Sequence, residues 1–442
     1  MFSSFTTFSN PFGVPRFLKS GSPKAINIPS VEIHDVETNA DKRARNLKHL
    51  LKLNHTNHAV LFNDDQFHNH TPHILGSAYL LSAPSTHLSA IYESETKGLV
   101  SWRESPGEIS TYDWRDYLSD RRYQRAYLDF FEDQVVLEGY DWKKVLNKYL
   151  FEGKEPLFNN LVAGLGHPLI HLGYAYELNS REVAMEALCL ATACYNYLHK
   201  YLDNPSYSKP SSTPSSHAKP QTSTLDILAA IRKDPRFEHL GADADMKSLL
   251  EGHEAAVLEH WNSWQISEPK TQFEESQSTA TAVLVGSVMP KDGSRKDYDF
   301  FFVHLLTTSH AVRIILPLIS PEYHTHLVKQ WWLITVLLYI VQGRPEIDLS
   351  RFAERDIKAK GWDYVDEQAR GGKHSLDAHY VKGLRAMKAA KETWGDASRG
   401  IDKYWLKAAI ALAEEFDGWG FSGVAEHEAE ARMEGGITRR AA

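Results

Sequence analysis

The sequence predicts an all-α protein, a single large multi-helix bundle with long loops and at most a minor β element. Apolar residues recur at helical spacing in one segment after another along the 442 residues, and this period is typical of helices that bury one face. Two of these segments begin with a proline in the expected first helical turn, at Thr71-Pro72 and at His167-Pro168. No repeated alternation of strand and helix patterns occurs, which argues against a parallel sheet.

Composition and charge exclude several classes of protein. Hydrophobic residues make up 42% of the chain and charged residues 24%, as in ordinary globular proteins that bury a large core. The formal net charge of −8 and the absence of a long lysine/arginine run predict no nucleic-acid partner. The only two cysteines, Cys189 and Cys194, lie in an apolar helical run, which suits a reducing compartment better than a disulfide framework.

The chain is expected to have three regions. Residues 1–38 are predicted to be a flexible N-terminal arm, residues 39–425 a helical domain, and residues 426–442 a C-terminal tail. The arm lacks the apolar core of a secretory signal, whereas its lack of acidic residues near the terminus leaves an organelle transit peptide as an alternative. The longest apolar run, Trp331 to Val341, is far shorter than the roughly 20 residues that span a bilayer. We therefore expect no membrane span and a cytoplasmic location.

Six helical segments are predicted in the N-terminal half. In the first, Ala44, Leu47 and Leu50 recur on one face among basic residues, as in an amphipathic helix. In the second, Thr71 is a candidate N-cap before Pro72. The segments are residues 39–53, 72–81, 114–137, 142–150, 168–177 and 180–202.

The second half begins with an insert and is then nearly all helical. Residues 204–224 are dominated by Pro, Ser, Thr and Lys and are predicted to be a disordered surface insert. A β-branched run at residues 278–288 is ambiguous, because its periodicity also fits a short strand. The remaining predicted helices are residues 224–228, 249–264, 299–318, 323–341, 375–394 and 403–416.

Histidine is the unusual residue of this composition. The chain has 22 histidines, and several stand inside apolar helical runs. Neutral imidazole is the commonest metal ligand, and helical bundles build metal sites from side chains on facing helices. One such histidine alone is more often a packed or capping residue, but four separate segments together favour a metal site. The candidates are His70 and His73, His167 and His171, His304, and His379.

Lys382 shares a helical face with His379, three residues before it. An ammonium group would repel a divalent ion, so a lysine near a metal must be deprotonated, turned away or modified. A lysine N-carboxylated by carbon dioxide would be an anionic oxygen ligand, and this modification is one hypothesis for Lys382. The alternative is a surface lysine paired with Asp377.

Other recognisable sites are missing from the sequence. It contains no Gly-x-Gly-x-x-Gly after a strand, no Walker-type Gly-Lys-Ser/Thr and no Gly-x-Ser-x-Gly. An oxygen donor beside several imidazoles suits Fe(II) oxygen chemistry or zinc hydrolysis. A metal-dependent hydrolase therefore remains an alternative, although the only His-Asp dipeptide, His34-Asp35, lies in the predicted arm. Two further alternatives remain. One is a scaffold protein with structural histidines, and the other is a flavin monooxygenase of unrecognised fold.

Five motifs resemble the questin oxidase-like family of fungal secondary metabolism, in order over about residues 40–425. That family is associated with the oxidative opening of anthraquinones to benzophenones, a formal Baeyer–Villiger-like oxygen insertion in polyketide pathways. The sequence departs from the family at Ile74, where relatives often carry another histidine, and in the long insert. The motifs are Asn69-His70-Thr71-Pro72-His73, Gly343-Arg344-Pro345 and residues 166–174, 299–307 and 377–386.

The resemblance implies an oxygenase that takes an anthraquinone, or its hydroquinone, and dioxygen. Ground-state dioxygen is a triplet that reacts slowly with closed-shell molecules, so a redox metal, a flavin or an electron-rich substrate is required. Since the sequence has no recognisable flavin or nucleotide motif, we expect Fe(II) as the cofactor. NADPH, with which the family's enzymes have been grouped, would then be an external reductant acting through a partner reductase.

Positions within the helices suggest a division of the candidate residues. Side chains inside the helices are expected to bind the metal, and those at the helix caps are expected to be catalytic, as acid–base groups or by orienting the substrate phenols. The expected ligands are His73, His171, His304, His379 and a carboxylated Lys382, and the expected catalytic residues are His70 and His167.

Overall fold

Helices make up most of the structure, a computed structural model that describes residues 25–64, 66–209, 217–240, 244–287, 289–291 and 295–420. The all-α prediction is confirmed: seventeen α-helices and two small sheets lie within these ranges. The helices are α1 Lys42–Asn57, α2 Thr71–Leu80, α3 Ser85–Glu95, α4 Gln124–Leu137, α5 Trp142–Phe151, α6 His167–Leu178, α7 Arg181–Ala193, α8 Lys200–Asp203, α9 Thr224–Arg232, α10 Met246–Ser263, α11 Pro269–Gly286, α12 Phe300–Ile315, α13 His324–Val341, α14 Ser350–Ala353, α15 Trp362–Gly371, α16 Ala378–Trp394 and α17 Tyr404–Glu415.

Two small sheets are the minor β element. Strands β1, Leu61–Phe62, and β2, Phe67–His68, form an antiparallel pair just before α2. Strand β3, Met289–Lys291, pairs antiparallel with β4, Arg295–Asp299, and β4 pairs in parallel with β5, Trp419–Gly420. Each of β2 and β4 ends within a few residues of a central helix, so the sheets fix how the chain enters α2 and α12.

Four helices close a ring at the centre of the bundle. Helix α2 packs against α6, α6 against α12, α12 against α16, and α16 against α2. All sixteen residues of α12 are buried, which is typical of a helix surrounded by others. Helix α7 covers the outer side of α6 and also contacts α1, α4 and α5.

Two predicted helices are shorter than expected. Of the predicted helix 114–137, only Gln124–Leu137 is helical, because the chain turns at Ser119, whose φ is +72°, and Asp120 caps a short 3-10 turn. The predicted helix 180–202 ends at Ala193, and the chain becomes helical again at Lys200.

The ambiguous run at residues 278–288 is helical rather than extended as far as Gly286, and residue 288 lies outside the described residues. Residues 278–286 form the second half of α11, and every one of them is buried. Helix α11 packs against α12, α17 and α14, and this packing outweighs the β preference of the threonines and valines.

Part of the predicted N-terminal arm packs on the helices. The Ile26 backbone N–H donates to Nδ1 of His324, and the His34 N–H donates to the Glu177 carbonyl. Val36 is buried. Residues 1–24 of the predicted arm, residues 210–216 of the predicted insert and the predicted tail, 426–442, lie outside the described residues.

One segment of the described chain, Phe300–Leu318, is long and apolar enough to cross a membrane by length and composition. It comprises α12 and the turn after it, and 89% of this segment is buried inside the protein. Burial of this kind is also typical of the central helix of a large helical core.

Candidate metal centre

Four histidines from four segments meet at one point, and we call them the four-histidine centre: His70, His167, His304 and His379. One ring nitrogen from each lies within 4.8 Å of the others. Nε2 of His70 and Nε2 of His167 are 2.8 Å apart, and Nε2 of His304 and Nε2 of His379 are 3.3 Å apart. Since two ligands on opposite sides of an ion at about 2.1 Å are about 4.2 Å apart, these nitrogens can surround one metal ion after small movements.

The centre forms where the four helices of the ring begin. His70 directly precedes α2, His167 is the first residue of α6, and His379 is the second residue of α16. His304 is in the second turn of α12. Side chains of a helix lean towards its N-terminus, so histidines near these beginnings extend into the space between them.

An unusual backbone segment sets the position of His167. Gly164, Leu165 and Gly166 all have positive φ, at 57°, 52° and 80°, a region that L-residues rarely adopt. A Cβ on Gly166 would lie 2.4 Å from Oγ1 of Thr308, so this position also requires glycine for space. The turn brings the Gly164 carbonyl within 2.5 Å of Nδ1 of His167.

Backbone carbonyls determine the tautomers of two of these rings. Nδ1–H of His167 donates to the Gly164 carbonyl, and Nδ1–H of His304 donates to the Phe300 carbonyl at 2.9 Å. Each neutral ring then has its lone pair on Nε2, the atom that faces the other histidines. This hydrogen bond through the second nitrogen is typical of metal-binding histidines.

The rings are neutral at physiological pH. Burial holds the pKa of all four well below the usual range. For His70, His304 and His379 the Lys382 charge lowers the pKa further, and for His167 the neighbouring His68 does so. Metal binding requires the neutral imidazole, so the donor set fits a resident transition metal ion.

Lys382 is buried rather than at the surface. Its exposed fraction is 1%, so the alternative of a surface lysine paired with Asp377 is wrong. Its charge nevertheless lowers the pKa of Asp377, which burial raises overall. The structure therefore places Lys382 near the centre, whereas its carboxylation stays a prediction.

His73 and His171 form a pair of their own, one turn further into α2 and α6. Nε2 of His73 lies 2.7 Å from Nδ1 of His171. The His73 ring centroid is 5.7 Å from that of His70 and 6.0 Å from that of His167. The structure thus groups the cap histidines, rather than the interior ones, with His304 and His379, while the roles assigned to them from the sequence stay predictions.

His68 was not singled out from the sequence, although it contacts the centre. Its ring stacks on that of His167, with centroids 3.8 Å apart and planes 2° from parallel, and its Nε2 lies 3.6 Å from Sγ of Cys194. The spacing His68-Asn69-His70 is a weak signal that an extended chain leads into the site.

A cavity of about 550 Å³ opens over one side of the centre. His70 and His379 line its inner part, and Phe62, Phe67 and Leu376 provide apolar wall. Its size is within the range of about 300–1,000 Å³ that is usual for small-molecule sites.

Three polar side chains of the cavity lie on the segment before α16. Lys373, His374 and Asp377 all line it. Asp377 caps α16 by accepting the Tyr380 N–H, and it also accepts Nε1–H of Trp419 at 2.9 Å. Nε2 of His374 has no hydrogen-bond partner among the described residues, which leaves a polar atom available to a ligand.

A model of the questin oxidase-like family matches residues 67–387. The chain belongs to this family. The matched part begins at β2 and ends within α16, so all four histidine-bearing segments of this questin oxidase-like chain lie inside it. The resemblance stated from the sequence motifs is thereby confirmed.

Several relatives of this questin oxidase-like chain have curated names. It is 24% identical to a questin oxidase of Aspergillus fumigatus, over 80% of this chain and 83% of that protein. It is also 24% identical to the Baeyer-Villiger oxidase GME11358 of Pestalotiopsis microspora, over 80% and 83% of the two chains. Identity to the oxidoreductase AflY of Aspergillus parasiticus is 26%, over 80% and 74%. These names support an oxidoreductase.

Proposed function

We propose that this chain is a non-haem iron oxygenase that opens the central ring of an anthraquinone, acting on its hydroquinone with dioxygen. The observation that supports this proposal is the meeting of four neutral imidazoles beside a cavity of small-molecule size. The relatives named questin oxidase and Baeyer-Villiger oxidase point to the same chemistry.

The metal would be Fe(II), held by His70, His167, His304 and His379. Four imidazole nitrogens leave positions open on an ion that accepts six ligands, which suits iron in oxygen chemistry. When bound, iron supplies the redox activity that triplet dioxygen needs to react with a closed-shell molecule. This proposed ligand set differs from the division expected from the sequence. It is chosen because the four nitrogens lie within 4.8 Å of one another, whereas Nε2 of His73 lies 2.7 Å from Nδ1 of His171.

The reaction balances without a further reductant once the substrate is a hydroquinone. One hydroquinone and one dioxygen give one ring-expanded lactone and one water, and hydrolysis of the lactone gives a benzophenone carboxylic acid. The hydroquinone provides both electron pairs that reduce dioxygen. An NADPH-dependent partner reductase would act earlier, by reducing the quinone.

The chain's own residues would bind and orient the substrate. Phe62 and Phe67 offer flat apolar surface to a fused-ring molecule. Burial and the nearby Lys373 keep the pKa of His374 below its ordinary value, so its neutral ring accepts or donates one hydrogen bond to a substrate phenol. The Lys373 ammonium pairs with Asp417 at 2.8 Å and would exchange this partner for a negatively charged substrate oxygen.

The first test is the metal content of the purified protein by elemental mass spectrometry. We expect about one iron per chain in the wild type and a loss of at least ~80% of it in His304→Ala, because one of four ligands is gone. His310→Ala is the matched control: His310 is buried on the same helix, α12, outside the centre, and this variant should keep its iron.

Ring opening is then tested with anthrahydroquinones mixed anaerobically with the iron-loaded protein before ¹⁸O₂ is added. We expect one labelled oxygen in the product and one in water. Stoichiometric zinc in place of iron would favour a hydrolase, and a yellow protein with bound flavin would favour a flavin monooxygenase. Absence of stoichiometric metal from the wild type would exclude the proposed centre.

A further inference from the structure

Strand β5 lies beside the beginnings of two helices of the ring. Its two residues, Trp419 and Gly420, pair in parallel with Tyr298 and Asp299 of β4. Asp299 is also the N-cap of α12, where its side chain accepts two backbone N–H groups. Strand β5 therefore holds the last residues before α12, the helix that carries His304.

The Trp419 side chain also contacts the beginning of α16. Its Nε1–H donates to Oδ2 of Asp377 at 2.9 Å. Asp377 is the N-cap of α16, and its Oδ1 accepts the Tyr380 N–H at 2.9 Å. Both carboxylate oxygens are thereby held, which fixes the rotation of this side chain. His379 follows the cap by two residues, so the position of its ring depends on how this first turn is held.

The Phe300 ring lies between Trp419 and two of the four histidines. Its centroid is 4.8 Å from that of His304, 4.6 Å from that of His379 and 6.2 Å from that of Trp419. The Trp419 ring is also 6.1 Å from that of His379. All four pairs meet edge to face, an arrangement that aromatic rings favour. A displacement of the indole would therefore displace the Phe300 ring and, with it, both imidazoles.

Packing alone does not require a tryptophan at this position. Trp419 is partly buried, and a phenylalanine would supply a similar apolar ring. Only the indole N–H can donate to the Asp377 carboxylate, and a hydrogen bond to a charged acceptor is stronger than one between neutral groups. Trp419 also lies beyond residues 67–387, the part of the chain that the family model matches.

We propose that Trp419 is a positioning residue of the metal centre. Through Asp377 and Phe300 it holds His379 and His304 in the arrangement in which their Nε2 atoms face each other at 3.3 Å. This inference rests on the proposed function, because that function includes a metal ion at the four-histidine centre.

The physical basis is the cost of arranging ligands around an ion. Without the indole N–H, Oδ2 of Asp377 loses this donor, and the carboxylate can rotate. The first turn of α16 is then held less firmly, and the His379 ring has several orientations available. An ion has to select one of them, which weakens its binding. Groups that hold a metal-binding histidine in place typically change metal affinity by about 10- to 100-fold when they are removed.

The test compares Trp419→Phe with Trp394→Phe in the full-length protein. Trp394 is the matched control, because its Nε1–H also donates to a side-chain oxygen, Oε1 of Gln277, at 2.6 Å. It is the last residue of α16, so it lies roughly 22 Å from His379 along the helix axis.

Co(II) is the probe, because its visible absorption spectrum reports the number and geometry of its ligands. After removal of bound metal with a chelator, the dissociation constant for Co(II) is measured by competition with a metal-binding dye. We expect it to rise about 10-fold in Trp419→Phe and to stay at the wild-type value in Trp394→Phe. At saturating Co(II), the spectrum should change in Trp419→Phe only. A loss of stability alone would lower the urea midpoint without changing this spectrum.

Asp377→Asn tests the same contact from its other side and decides the matter if Trp419→Phe does not fold. Asparagine keeps the helix cap through its Oδ1, but it has an NH₂ donor where the indole N–H needs an acceptor. We expect Co(II) binding to weaken about 10-fold here as well. The double variant should bind no more weakly than either single variant, since both remove one contact. Additive losses would show that the Asp377 charge acts independently of Trp419 and would overturn the inference.

The outcomes separate this inference from the proposed function. Equal dissociation constants and spectra in the wild type, Trp419→Phe and Trp394→Phe overturn the role of Trp419 and leave the metal centre in place. Weaker binding and a changed spectrum in Trp419→Phe, without oxidation of any hydroquinone by the iron-loaded wild type, support the inference and overturn the oxygenase proposal. A wild type that binds no Co(II) overturns both.

Discussion

Whether a buried histidine is a candidate metal ligand depends on what its second ring nitrogen bonds and on which groups surround the ring. His260, on α10, is fully buried and pairs with the Asp234 carboxylate at 2.8 Å, as a satisfied core histidine does. His304 is equally buried, but its Nδ1 is bonded to a backbone carbonyl and its Nε2 faces His379. Two imidazole nitrogens facing each other without a carboxylate are favourable when a cation lies between them.

Replacing Lys382 tests whether its side chain is carboxylated. If Lys382 is carboxylated, it supplies an anionic oxygen ligand, so Lys382→Ala should lower bound iron several-fold and added acetate should restore part of it. ¹³C-bicarbonate should also give a carbamate signal in the wild type only. Lys388→Ala is the control, because Lys388 lies on the same helix and pairs with Asp366 at 2.6 Å. Tighter iron binding by Lys382→Ala would show an ammonium that repels the ion.

The sequence predicted which segments form the site, but not which histidine of each segment belongs to it. All four segments that meet at the centre were predicted from histidines in apolar runs, yet spacing alone does not distinguish His70 from His73 or His167 from His171. His70 and His167 reach the centre because the side chain of a residue at the N-terminus of a helix extends beyond that end of the helix. Which ends converge is a property of tertiary packing, and no local pattern in the sequence carries it.

At the scale of helices, the centre depends on four N-termini that converge. Each helix beginning carries a partial positive charge, and α2, α6, α12 and α16 all begin around the cluster. This field opposes protonation of the histidines and favours anionic groups. Substrate phenolates and reduced forms of dioxygen are anions, so the helix arrangement agrees with the proposed chemistry.

A substitution in the turn before α6 tests whether Gly166 is required to position the N-terminus of that helix. Gly166→Ala puts a Cβ 2.4 Å from Thr308 at a positive φ, so we expect a loss of about 2–4 kcal/mol in urea unfolding, together with reduced iron content as His167 moves. Gly139→Ala is the control, since Gly139 also has positive φ but no described atom within 4 Å. It should lose only about 1 kcal/mol, and equal losses would refute the role of the Thr308 contact.

The helices were predicted correctly where the apolar period continues over many residues. The prediction failed where tertiary packing or a backbone turn determines the structure instead. The helices around His70, His167, His304 and His379 were all expected from the sequence. The run at residues 278–288 was ambiguous, and residues 278–286 of it are buried on every side, so no polar face marks the helical period. Aromatic spacing continued through residues 114–123 even though the backbone there turns.

At the scale of the molecule, the fold surrounds the four-histidine centre with a ring of helices, α2, α6, α12 and α16. A cavity reaches His70 and His379 from the side of Phe62 and Lys373. A small molecule in this cavity therefore lies next to two of the four histidines.

The contacts of His55 with Glu132 and Glu186 make the stability of the whole molecule depend on pH. The pKa of His55 is raised to about 9 in the folded protein, against roughly 6.5 when unfolded. A raised pKa stabilises the fold fully below the unfolded pKa, and this contribution is lost as pH rises through about 9. Between pH ~6.5 and ~9.5 we expect the free energy of unfolding to fall by about 2 kcal/mol, less than the shift alone implies because Glu132 is partly exposed.

Urea unfolding of the wild type and Glu132→Gln at a series of pH values measures this dependence. Removing the Glu132 charge lowers the pKa of His55, so the variant should lose less stability, and at lower pH, than the wild type. His55→Gln removes the titrating group and should abolish this part of the dependence, while Lys388→Ala should retain it. If the wild type and His55→Gln followed the same curve, the stabilising charge would not lie on His55.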